Sequence, residues 1–169
     1  KLIRVVSASF QRPNPRAFKL EAKAAGHYVN SILASQEAKS KGFDEALLSD
    51  MNGNIAEGPG ANIFFEKEGK LVTPPKGHIL AGITRATVLE LCQEMGIEVE
   101  ERHFLTDELK QADAAFFCGT AAEVIGFESL DNVKFQKNWN ETISRAIQVA
   151  YKNRVTEKDQ KFQSTENNK

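Results

Sequence analysis

Hydrophobic residues recur along this chain with two different periods, and the switches between them predict its elements. Leu2 to Phe10 mixes β-branched and polar residues as a strand does. Arg12-Pro13-Asn14-Pro15 then stops it, because proline fixes φ and has no amide to donate. After a loop to about Leu20, residues Ala25, Tyr28, Val29, Ile32, Leu33 and Ala38 fall at helical spacing. Their pattern predicts one amphipathic helix from Ala24 to Lys41, closed by Gly42.

Four short β-like runs follow, Ala46 to Asp50, Asn54 to Glu57, Asn62 to Glu66 and Lys70 to Thr73, with turn pairs at Asn52-Gly53 and Glu68-Gly69. The helical period returns from Thr84 to Met95 and closes on Gly96, ahead of the alternating strand Ile97 to Glu101. Thr106 to Leu109 reads as a short capped helix, Ala114 to Cys118 and Glu123 to Leu130 as strands, and Glu141 to Tyr151 as a last amphipathic helix. Strands alternating with helices predict a mixed α/β fold class. The polar stretch from Asn153 is expected to be a disordered tail.

With 169 residues the chain can bury the core of a single domain without disulfide staples. Lys and Arg number 22 against 23 Asp and Glu, with no basic run, so neither a nucleic-acid nor a membrane-surface partner is expected. No apolar stretch approaches the roughly 20 residues that span a bilayer. Cys92 and Cys118 lie far apart in apolar surroundings, which suggests reduced core thiols and favours the cytoplasm. The chain opens at Lys1 without an initiator Met or a signal-peptide pattern, and is expected to be part of something longer.

Four places could carry chemistry. Lys23 stands among Ala22, Ala24, Ala25 and Gly26, where desolvation would lower its pKa and let it form a Schiff base, although most lysines are solvated surface groups. Glu57 precedes Gly58-Pro59-Gly60, so a carboxylate could face a cationic ring nitrogen at a closely approaching backbone; a strand-end charge beside a surface turn is the ordinary alternative. Gly82-Ile83-Thr84-Arg85 opens a helix whose amides, dipole and hydroxyl suit a phosphate monoester, or else Thr84 simply caps it. Gly119-Thr120-Ala121-Ala122 follows a buried strand at the end where α/β proteins commonly bind anions. Metal binding has little support, because His27, His78 and His103 lack partners at ligand spacing. A Schiff-base lysine, a carboxylate in a glycine turn and two phosphate-cradle turns together form the set that pyridoxal 5'-phosphate requires.

The wording and order of these motifs resemble the fold-type IV pyridoxal-phosphate aminotransferases, most closely the branched-chain amino acid aminotransferases. The resemblance rests on Glu21-Ala22-Lys23-Ala24-Ala25-Gly26-His27-Tyr28, on Asp50-Met51-Asn52-Gly53-Asn54-Ile55-Ala56-Glu57-Gly58-Pro59-Gly60-Ala61-Asn62-Ile63-Phe64, on Leu80-Ala81-Gly82-Ile83-Thr84-Arg85, and on Gly119-Thr120-Ala121-Ala122-Glu123. It implies a pseudo-barrel of strands with flanking helices. It also implies that Lys23 is the catalytic Schiff-base lysine, that Glu57 pairs with the pyridine nitrogen and that Tyr28 lies beside the phenolic oxygen. Leu80 would pack on the ring, Ile83, Thr84 and Thr120 would hold the phosphate, and Thr120 and Ala121 the substrate α-carboxylate.

The activity so implied is ping-pong transamination of leucine, isoleucine or valine with 2-oxoglutarate, by a cytoplasmic homodimer. Two positions depart from the family's habits: Ala61, where many bacterial members carry Glu, and Gly126, near which proline is common. The resemblance also implies an N-terminal small domain, which is expected to lie outside these residues. Residues 1–152 are therefore expected to be the C-terminal cofactor-binding domain, with 153–169 the tail, weak or inactive alone. A D-amino acid aminotransferase or an aminodeoxychorismate lyase of the same fold type is the neighbouring alternative. A non-catalytic ligand-binding domain is the alternative of a different class.

Overall fold

A computed structural model describes residues 1–166. β1 (Ile3–Gln11) runs parallel to β2 (Glu45–Ser49), and the two are joined through α1 (Tyr28–Ser40), which a single 3-10 turn precedes. A second crossover of the same kind links β5 (Lys70–Thr73) through α2 (Ile83–Glu94) to the parallel β6 (Val99–Glu101). Between them, β3 (Ile55–Glu57) pairs antiparallel with β2 and touches β4 (Asn62–Lys67) at Glu57 and Asn62. After α3 (Thr106–Lys110), β7 (Ala114–Gly119) and β8 (Glu123–Leu130) return antiparallel, β8 lying beside β1. Strands β1, β2, β3, β4, β7 and β8 thus close a six-membered ring, the expected pseudo-barrel. The two-residue β9 (Val133–Lys134) hangs from β8, and α4 (Ile143–Glu166) ends the described chain.

Alternation along the strands builds two layers of core. Ile63, Phe65, Ala115, Phe117, Val5, Leu47 and Phe127 point into one cluster, while the intervening Phe64, Phe116 and Cys118 pack outward with Val88, Leu91 and Ile147 of α2 and α4. Double-phenylalanine runs are therefore buried on both faces, with Phe64 and Phe116 stacked at 5.2 Å and Phe117 edge-on to Phe127 at 4.6 Å. The cysteines are free thiols in this outer layer, and burial pushes Cys92 to about 11 and Cys118 to about 12.

Three expectations are corrected. α1 turns Ala34 and Ala38 inward, against Val6, Ala46 and Leu48, and buries Ser31 on the same helix. Its large apolar residues Val29, Ile32 and Leu33 stay 60%, 55% and 40% exposed, because the small residues allow closer approach to the sheet. Second, α3 starts after Leu105 without any side-chain cap, Thr106 being already its first helical residue. Third, α4 begins two residues later than expected and runs through the polar segment read as a disordered tail as far as Glu166. Arg154 ties that extension to Glu90 and Glu94 of α2, and Val155 packs on the outer core, so the helix outlasts the apolar pattern. Residues 167–169 of that tail lie outside the described residues.

Gly126 has a local reason. A Cβ there would come within 2.5 Å of the Trp139 ring, so the glycine lets the indole lie against β8. Glu66 is buried at 2% exposure, where its carboxylate accepts from both the amide and the hydroxyl of Ser144 in the first turn of α4.

Candidate active site

The loops leaving β1, β3, β5 and β7 meet at one end of the ring and enclose a cavity of about 270 Å³. Lys23 comes from the β1–α1 connection and Tyr28 from the start of α1, Glu57 from the end of β3, Leu80 from the β5–α2 connection, Ile83 and Thr84 from the first turn of α2, and Thr120 from the turn after β7. All seven line the same cavity. Ala121 is exposed in the turn beyond Thr120 and is not among the lining residues.

Glu57 is no surface charge. It is 4% exposed, and its environment is polar on three sides: the Leu80 amide donates to both carboxylate oxygens at 3.2 Å, Asn62 Nδ2 donates to Oε2 at 3.2 Å, and Arg12 Nε lies 2.9 Å from Oε1. Burial raises the carboxyl to about 7, with the Arg12 charge and the Leu80 amide pulling the other way. Asn62 extends the arrangement, donating to the Leu80 carbonyl at 2.9 Å and accepting from the Gly82 amide at 3.1 Å. Arg12 and Asn62 were not among the sequence candidates. Arg12 reads as a loop residue ahead of Pro13, and Asn62 as a strand residue.

The segment that leads into α2 is pinned at both ends. Arg85, 2% exposed, donates to the Pro74 carbonyl at 3.1 Å and pairs with Glu101 at 2.7 Å. His78 Nδ1 sits 2.7 Å from Asp50 Oδ2, and Asp50 Oδ1 accepts from the amides of Asn52 and Asn54. Burial works against the Asp50 charge, but hydrogen bonds from His78, Asn54 and those amides hold its carboxyl below the usual range. The helix opens at Gly82 with no side-chain cap and no acid in its first turn, and Gly82, Ile83 and Thr84 line the cavity. Thr84 is thus the second helical residue and not the cap. A positive helix end with free N–H groups is a favourable seat for an anion.

Lys23 departs from expectation. It is exposed at the cavity mouth, so the described residues do not supply the desolvation expected of a reactive amine. Two buried polar atoms on the lining lack aligned hydrogen-bond partners, Ser31 Oγ on α1 and Arg12 Nε. Among the described residues there is no cluster of metal-ligating side chains, and no helix is long and apolar enough to cross a membrane.

The Amino-transferase class IV family matches residues 1–130, more than half of the chain. The chain belongs to that family. Among class IV relatives, a probable branched-chain-amino-acid aminotransferase of Aquifex aeolicus is 43% identical over 164 residues, 96% of this chain and 53% of that protein. The branched-chain-amino-acid aminotransferase of Pseudomonas aeruginosa is 42% identical over 149 residues, 88% of this chain and 48% of its own. The crystal structure of the Thermobaculum terrenum branched-chain amino acid aminotransferase in PLP form matches with TM-score 0.89 at 39% identity, covering 92% of this chain and 51% of that one. The chain spans about half the length of the curated relatives it matches.

Proposed function

We propose that this class IV chain is the pyridoxal-phosphate-binding domain, residues 1–152 with 153–169 appended, of a branched-chain amino acid aminotransferase. The whole protein would move the amino group of leucine, isoleucine or valine to 2-oxoglutarate, as a cytoplasmic homodimer, with an N-terminal domain completing the site. One observation carries the reading: a lysine, a buried carboxylate and an uncapped helix N-terminus line a single cavity.

The lining fits the cofactor on physical grounds. Ser31 Oγ is a buried polar atom on the lining without a hydrogen-bond partner among the described residues, and α2 opens at the cavity without a side-chain cap. A Cβ on Gly119 would stand 2.9 Å from the Gly60 carbonyl, so the two glycine turns meet closely at the cavity wall. Pyridoxal phosphate, when bound, supplies an aldehyde that captures amines and a ring that accepts electrons from the substrate α-carbon.

The chain's own groups do the rest. Lys23 Nζ would hold the cofactor and carry the proton of the substrate α-carbon. Glu57 would hold a proton at the ring nitrogen, and Tyr28 would lie at the phenolic oxygen. Leu80 would pack on the ring, and Ile83, Thr84 and Thr120 would hold the phosphate. Thr120 and the Ala121 amide receive the substrate carboxylate, Ala121 from the rim. The branched-chain relatives at 43% and 42% identity support this substrate class over D-amino acids or aminodeoxychorismate.

The test is product analysis on the full-length protein with L-leucine plus 2-oxoglutarate, with D-alanine, and with aminodeoxychorismate. Glutamate formed with L-leucine, and lost in Lys23→Ala, is the expected result. Turnover of only one of the other two would replace the substrate assignment. No turnover of any, with unchanged cofactor binding in Lys23→Ala, would remove the enzymatic reading.

A further inference from the structure

We infer that Arg12 is a positioning residue that acts through Glu57, aligning its carboxylate and keeping it ionised so that it can hold a cationic ring nitrogen. The inference rests on the cofactor-binding reading and adds a residue to it. Arg12 sits at the point where β1 ends, its amide bonded to the Ser49 carbonyl at 2.8 Å, so the side chain leaves the sheet from an anchored backbone. Arg12 and Glu57 are 7% and 6% exposed at the side chain, and Nε approaches Oε1 at 2.9 Å.

Such burial demands a function for the charge. Two desolvated ions gain little net stability from one another compared with apolar replacements. A carboxyl buried with only Leu80 and Asn62 as partners would favour its neutral form, and a neutral carboxyl exerts no charge attraction on a ring cation. The cavity is also lined by the titratable groups Lys23, Tyr28 and Cys118. Among the described residues Arg12 is the cation in ion-pair contact with Glu57. Burial raises the Glu57 carboxyl, and the Arg12 charge beside it is the largest of the influences that pull the other way. Nε has no aligned hydrogen bond, so Arg12 acts here by charge and contact more than by a straight N–H···O bond.

The experiment follows Glu57 itself, by carboxyl ¹³C chemical shift against pH in the cofactor-free chain, for wild type, Arg12→Met, Arg12→Gln and Arg12→Lys. The expected result is a midpoint moved up by roughly 1 to 3 pH units in the two neutral variants and returned towards wild type by lysine. Arg12→Gln retains polar packing if Arg12→Met fails to fold. An unchanged midpoint in a folded neutral variant overturns the inference. The same proteins are then loaded with pyridoxal phosphate, and the pH dependence of the bound chromophore is recorded. A transition that follows the Glu57 midpoint across the variants supports the link to the ring nitrogen, and one that ignores Arg12 overturns it. Failure of wild type to bind pyridoxal phosphate would instead fault the cofactor reading, while the carboxyl titration still reports on the pair.

Discussion

On one side of the cavity Glu57 is buried and gripped by Arg12, Asn62 and the Leu80 amide, whereas on the other Lys23 stands exposed in the connection between β1 and α1. The first wall is also a structural joint, since Asn62 bonds Leu80 and Gly82 and so fixes the entry to α2. The second displays a lysine side chain that is exposed. The difference teaches that the wall carrying Glu57 and the entry to α2 is pre-organised within this chain.

Substitutions on the two walls should therefore fail in opposite ways. Lys23→Ala is expected to abolish covalent capture of pyridoxal phosphate altogether while changing folding stability by less than about 0.5 kcal/mol, as for other exposed positions. A large stability loss in chemical denaturation would break the contrast. Glu57→Ala leaves Arg12 as an uncompensated buried charge, and should cost about 3 to 5 kcal/mol by the same measurement. Equal stability of Glu57→Ala and wild type would mean that the wall is not a joint.

Asp50→Ala removes the acceptor that holds His78 and the Asn52 and Asn54 amides, freeing the segment before α2. It should destabilise by about 1 to 3 kcal/mol and weaken pyridoxal-phosphate binding in a fluorescence titration. Intact affinity would show that the cradle holds without that pin.

A further expected effect is on pH dependence. Glu57 binds its proton more tightly folded than unfolded, so it favours the fold below the ordinary carboxyl range, and that contribution is lost as pH rises to about 7. Asp50 is depressed and acts in the opposite sense, its contribution present above the ordinary range and lost on acidification. Denaturation curves across pH should show the neutral-side fall shrink in Glu57→Gln, and an identical profile would remove Glu57 as its source.

Much of this arrangement was legible as pattern. The Lys70 to Thr73 and Glu123 to Leu130 strands appear with the bounds their alternation gives, because side chains on both sheet faces obey a period of two. Gly53 and Gly69 adopt the positive φ that their turn pairs announced. The packed face of α1 was not legible, since periodicity shows that a helix has two faces without saying which meets this sheet. Ser31, Ala34 and Ala38 win by size, and Val29, Ile32 and Leu33 are left outside. The candidate site was legible as motifs, and seven of its eight residues line one cavity. Arg12 was missed because its partner is 45 residues away, and the end of β1 meets the end of β3 only because both strands pair with β2 between them. The exposure of Lys23 was missed for a related reason: neighbouring alanines predict small volume, not burial.

The most direct measurement is to incubate the protein with pyridoxal phosphate, reduce with borohydride and map the modified lysine by mass spectrometry, on this chain and on the full-length protein. The account predicts one labelled position, Lys23, with the label absent in Lys23→Ala. Labelling spread over surface lysines, or a label in the full-length protein that persists without Lys23, would contradict it.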